Sequence, residues 1–308
     1  MGDGRTAQSV YLLANLVSAC AIVFANKAVL SVINFNFTVS LTCIHTIATL
    51  LVARVLCILG VIDRKRLPAH ASISLAVAFA GYVVFCNVSL ALNTVGFYQL
   101  TKIAIAPTVL IMEAVGQRRL PEPRVSVCVL VVCLGIGLAT VFDKQVTTNA
   151  AGLLVGCLSV LVSAQYGIWI GSMTKVHGVS SLQLLEQYLP YASLMLALCM
   201  PCEAIVMKAY TPHAPNLLTF AYTYKSVGMI AVSAILGVMV TVSTFLVIGN
   251  TSSLTYAVAG HVKTIAIMGG GVLLFGDDIA TVKILGVMLA LSGVVAYSLI
   301  RAREGTKK

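Results

Sequence analysis

The chain has 308 residues, of which 59% are hydrophobic and 10% charged, with a mean hydropathy of +0.99 and a net charge of +10. A soluble domain carries roughly 25% charged residues, so this composition excludes an ordinary soluble domain. The positive balance does not mark a nucleic-acid surface either. The basic residues are spread over loops and apolar segments, with no soluble domain to gather them into a footprint.

At about 20 residues per crossing, the chain has room for about ten spans and short loops. Hydropathy predicts an all-α, multi-pass membrane protein with spans at 9–32, 37–61, 71–92, 95–116 and 125–142, then at 150–173, 181–206, 226–249, 252–275 and 279–300. Charge and proline supply the stops between them: 63–68 is charged and ends in Pro68, 118–124 carries two prolines, and 210–215 carries two more. Pro107, Pro190 and Pro201 fall within spans and are expected to kink them. The expected organisation is a single membrane domain over 1–308, with five-helix repeats at 9–142 and 150–300 and a short basic tail at 301–308.

Of the 20 lysines and arginines, twelve fall on the side of the two termini, four on the other side and four within spans. The positive-inside rule then places both termini in the cytosol. Only eight residues precede the first span, too few for an organellar transit peptide, and the apolar run is too long for a signal-peptide core. Entry by the secretory route is the expectation. The terminal Lys307 and Lys308 are not placed as a dilysine retrieval signal.

Two cations sit where lipid should forbid them. Lys263 lies at the midpoint of span 252–275, and Lys102 about 5 Å from the midpoint of span 95–116 at ~1.5 Å rise per residue. A cation at that depth costs at least ~2.5–3.5 kcal/mol and is normally aimed at a bundle interior or a water-filled path. Thr255 follows Thr94, and Lys263 follows Lys102, by the same 161 positions, while Gly293 follows Gly135 by 158. The longer loop at 118–124 absorbs the difference. Five spans per half is an odd number, so the second half is expected to run inverted. Inverted repeats with a site near the midplane are a recurring plan for transporters. The reading is a carrier that holds an anion at the middle of the membrane.

Polar residues gather near both lysines. Tyr98 is four positions before Lys102, and Tyr256 is seven before Lys263, so each shares a helical face with its lysine. Gly260 lies on that face and leaves backbone open to a ligand. Gln99, Asn87, Asn93, Thr255, Thr264 and His261 lie in or beside the same segments. Lysine suits phosphate as a point charge, and tyrosine or asparagine suits a base or sugar. Tyr98 and Tyr256 can equally be packing residues. His261 reads as a helix–helix hydrogen bond rather than a proton relay. Lys27 and Arg54 either snorkel to the surface or reach the ligand. Glu113 and Glu186 lie within spans, with Glu203 near a span end. Glu113 is about three turns from Lys102 and cannot pair with it along the helix, but pairing between helices stays open. The nine cysteines, including the Cys199/Cys202 pair, fall almost entirely in apolar runs and read as small packing residues. Paired glycines such as Gly152/Gly156 and Gly167/Gly171 read as close helix contacts. No metal, cofactor or catalytic constellation is expected.

The stretches Phe24-Ala25-Asn26-Lys27, Asn93-Thr94-Val95-Gly96-Phe97-Tyr98-Gln99-Leu100-Thr101-Lys102 and Leu254-Thr255-Tyr256-Ala257-Val258-Ala259-Gly260-His261-Val262-Lys263-Thr264 resemble the nucleotide-sugar transporter and triose-phosphate translocator family of the drug/metabolite transporter superfamily. The Lys263-Thr264 pair is similar to the subgroup named for that dipeptide, whose members move UDP-sugars. Plastid phosphate translocators generally carry Lys-Arg there. The Gly-Ala-Leu-Asn-Lys motif of GDP-mannose transporters is absent. The resemblance implies ten helices in two inverted five-helix repeats, the drug/metabolite transporter fold, working by alternating access in the Golgi membrane.

The function expected is therefore an antiporter, not an enzyme. It would bring a UDP-sugar into the Golgi lumen and return the nucleoside monophosphate, UMP. Its contacts would be Lys102, Lys263, Thr264, Tyr98, Gln99, Tyr256, Thr255, Gly260, Asn87, Asn93 and Lys27. The alternative is an organic-phosphate/phosphate antiporter of the triose-phosphate translocator type. A proton-coupled exporter of cationic drugs would want a carboxylate in the first span, and 9–32 has none. The expected partners are nucleotide sugar, nucleoside monophosphate and the lipid bilayer, with no nucleic acid; a homodimer is compatible with this reading.

Overall fold

A computed structural model describes the chain apart from Met1, Thr94, Arg119 and residues 142–149, 211–216, 276–280 and 305–308. The described residues form ten α-helices and no strand: α1 (Gly2–Ser31), α2 (Thr38–Ile58), α3 (Ala69–Leu92), α4 (Val95–Gln117), α5 (Pro123–Val141), α6 (Ala150–His177), α7 (Ser181–Tyr210), α8 (Tyr224–Asn250), α9 (Ser253–Phe275) and α10 (Thr281–Glu304). Each expected span has its helix. The differences are at ends: α1 begins seven residues earlier than hydropathy suggests, and α6 and α7 each run four residues further. The extra turns are polar, and helix geometry carries on past the apolar stretch. Pro107 lies inside α4, and Pro190 and Pro201 inside α7, and both helices continue through them. Six helices, α1, α2, α3, α6, α7 and α8, are long and apolar enough within their described residues to cross a membrane. The protein is a multi-pass membrane protein.

Helix ends are satisfied locally, as a membrane setting demands. Gly178 ends α6 in the left-handed region (φ +56°), and the Val179 N–H reaches back five residues to the Thr174 carbonyl at 3.1 Å. Two residues on, the Ser180 hydroxyl accepts from the Gln183 N–H at 3.2 Å, and the Gln183 carboxamide accepts from the Ser180 N–H at 2.9 Å. That reciprocal pair is a capping box that starts α7. Thr223 and Ser226 make the same exchange at the start of α8.

Two compact units emerge: residues 1–87 with 169–250, and residues 88–168 with 251–308. In the first, α1 packs against α8, and α2 packs against both α7 and α8. Polar rungs join α1 to α8 at three levels. Gln8 donates to the Asn250 carbonyl at 2.8 Å, Asn15 donates to the Ser243 and Thr244 hydroxyls at 2.9 and 3.0 Å, and Ser233 donates to Asn26 at 2.6 Å. The order of partners makes the two helices antiparallel. Glu203 of α7 caps α2, its carboxylate accepting from the Val39 and Ser40 N–H groups at 2.6 and 3.0 Å. Tyr188 stacks on Phe245 at 5.3 Å, and Phe35 meets Phe37 and Phe220 edge-on at 5.2 and 5.1 Å. Between helices in lipid, such packing and hydrogen bonding carry the association.

In the second unit α5 packs on α10, α4 and α9, and α9 packs on α4 and α10. A methyl group placed on Gly135 of α5 would lie 2.3 Å from the Ala290 nitrogen and 2.6 Å from the Gly286 carbonyl. One placed on Gly293 of α10 would lie 2.9 Å from the Val132 nitrogen and 3.1 Å from the Cys128 carbonyl. Only glycine lets the two backbones approach this closely. Moving back along α5 moves the contact forward along α10, so these helices are also antiparallel.

Candidate functional site

The rotation of α9 is set by its buried stripe. Leu254, Val258 and His261 are each at most 3% exposed, and the first two join Ala106 and Val109 of α4 and Val125 and Val129 of α5 in one core cluster. The Thr255 hydroxyl shares hydrogen bonds with the Tyr297 hydroxyl at 3.0 Å and the Ser252 hydroxyl at 2.9 Å, which fixes the start of α9 to α10. With that face buried, Tyr256, Gly260 and Lys263 are left half-buried on another face, at positions i, i+4 and i+7. The Lys263 ammonium lies 4.6 Å from the centroid of the Tyr256 ring. A cation over an aromatic face gains about 0.5–2 kcal/mol, more as water is excluded. A methyl group on Gly260 would meet no described heavy atom within 4 Å.

Lys102 lies half-buried on α4, between the buried Thr101 and Ile103. Helix α4 packs on α9 within the same unit. The structure thus brings Lys102, Thr255, Tyr256, Gly260 and Lys263 onto two neighbouring helices. Tyr98, Gln99 and Thr264 occupy helical positions on α4 and α9, and their side chains lie outside the described residues. Asn93 has a structural role. Its amide donates to the Ser89 carbonyl at 2.9 Å and the Gly152 carbonyl at 3.0 Å, which clamps the end of α3 to the start of α6. Lys27 is exposed on α1, and Asn87 is half-buried on α3; both belong to the first unit.

Two carboxylates left open as partners for the lysines are engaged elsewhere. Glu186 of α7, 2% exposed, pairs with Arg54 of α2 at 2.5 Å and accepts from Gln187 at 2.6 Å. Glu203 is the cap of α2. Arg54 is therefore an ion-pair partner as well as a residue with a solvent-reaching side chain, 40% exposed. The Nε2 of His261 has no hydrogen-bond partner among the described residues.

One buried polar chain was not anticipated. His45 Nε2 lies 2.9 Å from the Ser233 hydroxyl, whose proton goes to Asn26 Oδ1. A hydroxyl has one proton to give, so the His45 Nε2 must carry the hydrogen in that contact. The signal was present in the sequence, since Asn26 lies in the Phe24–Lys27 stretch, but its partners are 19 and 207 positions away. No group of three or more His, Cys, Asp or Glu side chains with metal-holding geometry occurs among the described residues.

A family model described as the Triose-phosphate Transporter family matches residues 8–298. The chain is 33% identical over 295 residues to UDP-xylose transporter 2 of Arabidopsis thaliana, covering 96% of this chain and 81% of that protein. It is 32% identical over 286 residues to UDP-rhamnose/UDP-galactose transporter 1 of the same plant, covering 92% and 80%. A crystal structure of a protein at 11% identity superposes with a TM-score of 0.74, covering 97% of this chain and 98% of that one, and has the same fold.

Proposed function

The chain belongs to the Triose-phosphate Transporter family, and on that premise we propose that it is a nucleotide-sugar antiporter. It carries a UDP-sugar into the Golgi lumen and returns UMP to the cytosol by alternating access. The observation that carries this reading is the Lys263 ammonium over the Tyr256 ring, on a half-buried face of α9 that Gly260 shares. A cation and an aromatic face suit a phosphate linked to a base or sugar. The names of the relatives, transporters of UDP-xylose and of UDP-rhamnose or UDP-galactose, support the same substrate class. Thr264 stands where a second cation would favour a small, highly charged phosphate ester. Lys102, Lys263 and Thr264 hold the diphosphate, and Tyr98, Gln99, Tyr256, Thr255 and Gly260 line the nucleoside and sugar. Lys27 and Asn87 are further substrate contacts in this reading; Asn93 serves by fixing the end of α3.

The architecture we propose is ten spans in two inverted five-helix repeats. The contacts of Gly135 with residues 286 and 290, and of Gly293 with 128 and 132, support it. Subtracting 158 from each partner on α10 returns the partners on α5. The boundaries between the compact units support it too. They fall after Asn87 and after Asn250, 163 positions apart, against 161 for the two lysines. The excess of basic residues on the terminal side supports cytosolic termini.

Lysines at membrane depth are costly to move through an occluded state unless a bound anion accompanies them. A bound anion offsets that charge, so exchange outpaces uniport. The test is uptake of labelled UDP-xylose, UDP-galactose and triose phosphate into liposomes with and without internal UMP. Uptake of a UDP-sugar that rises severalfold with internal UMP is the expected result. Preference for triose phosphate overturns the substrate; equal initial rates with and without UMP overturn the antiport.

A further inference from the structure

A crevice of about 320 Å³ opens between α1 and α8 in the first unit; the lysine-bearing helices α4 and α9 belong to the second. Its walls are Ala25 and Ala28 on one helix and Gly228, Met229 and Val232 on the other. Ala25, Ala28 and Gly228 are too small to fill the gap, and a methyl group on Gly228 would meet no described atom within 4 Å. Inward, the crevice reaches the level of the Ser233–Asn26 hydrogen bond, which draws the two helices together. At its mouth stand Tyr224, fully exposed, and Lys225, in the first turn of α8. Among the described lining residues Lys225 is the one charged group, and none is acidic.

Both flanking helices are long and apolar enough to cross the membrane, and Tyr224 and Lys225 lie in the first turn of α8, the end of a helix of that length. A soluble nucleotide would find no polar partner within these walls. A ligand with a long apolar tail and an anionic head matches every part. We propose that the α1–α8 crevice seats an anionic diacyl phospholipid, with one acyl chain along Ala25, Ala28, Gly228 and Val232 and its phosphate on Lys225. Tyr224 sits beside the headgroup as an interfacial aromatic. The lipid braces the α1–α8 pair where the polar rungs stop, next to Lys27.

The experiment is native mass spectrometry of the full-length protein released from vesicles of phosphatidylserine and phosphatidylcholine in equal amounts. The wild type should retain phosphatidylserine in preference. A lysine at the membrane surface contributes about 1 kcal/mol toward an anionic lipid, so Lys225→Gln should lower that preference about fivefold. Gly228→Leu and, from the opposite wall, Ala28→Leu should abolish retention by filling the groove. Inorganic phosphate should not compete, because it has no chain to place there. Equal retention of the two lipids by the wild type, an unchanged preference in Lys225→Gln, undiminished retention in both groove-filling variants, or displacement by phosphate would each overturn the proposal.

Discussion

Gly135 and Gly293 each lie against the backbone of the other's helix, at positions that correspond under a single shift of 158 residues. The contact is therefore made twice, once from each side of the α5–α10 pair. The two sites are not equally tight. A methyl group on Gly135 meets three backbone atoms between 2.3 and 2.8 Å, whereas on Gly293 the nearest atom is the Val132 Cγ2 at 2.7 Å, on a side chain.

Gly135→Ala should accordingly lower thermal stability more than Gly293→Ala, since backbone cannot move aside as a side chain can. Overpacking of this kind costs about 1–3 kcal/mol. Gly137→Ala, on the same helix with no described atom within 4 Å, is the control. It should be neutral or stabilising by up to about 1 kcal/mol, because alanine is the better helix former. A melt by intrinsic fluorescence in detergent checks the order, and equal effects of all three would remove the close approach.

Lys102→Ala and Lys263→Ala should each abolish transport in liposomes while leaving the melting temperature near that of the wild type. Each removes a charge-assisted contact to phosphate, and neither side chain is part of the apolar stripe that orders α9 on α4. Near-normal uptake by either variant would refute the central role of the lysines.

Arg54→Ala should destabilise the fold, with no change in substrate ranking for whatever activity remains. It leaves Glu186 charged and buried between α2 and α7, and removing one partner of a buried pair costs about 3–5 kcal/mol. The lower end applies, because Arg54 is 40% exposed. Arg54→Met combined with Glu186→Leu should recover much of the loss. If the double variant is as unstable as Arg54→Ala, the damage is not due to the orphaned carboxylate.

Thr264→Arg should shift preference from UDP-sugar toward inorganic phosphate or small phosphate esters. A second cation beside Lys263 favours a compact, highly charged anion, and its bulk crowds the sugar. Competition uptake with the substrates ranked side by side is the measurement; an unchanged ranking would free this position from any part in selectivity.

The helices and the Tyr256–Lys263 face were legible in the sequence because both follow from short-range periodicity. Residues seven apart on a helix share a face whatever the surroundings. The Gly135–Gly293 correspondence was legible for a similar reason, since a repeat preserves spacing. What could not be read were the choices made between helices. The hydrogen bond from Asn93 to the Gly152 carbonyl joins residues 59 positions apart. Glu186 and Glu203 were indistinguishable as buried carboxylates, yet one neutralises an arginine and the other holds the first N–H groups of α2. Those roles depend on how each helix is rotated and which neighbour it meets, and a hydropathy pattern carries neither.

The rungs between α1 and α8 also set an order of events during synthesis. Asn15 leaves the ribosome 228 residues before the Ser243 hydroxyl that it will bond. At roughly 5–20 residues per second, that is a wait of about 10–45 s. Throughout it, the first helix has two asparagines in lipid whose final partners do not yet exist. A nascent chain that stops before α8 therefore presents quality control with an unsatisfied first helix, and α1 takes its final place only once the eighth helix has been made.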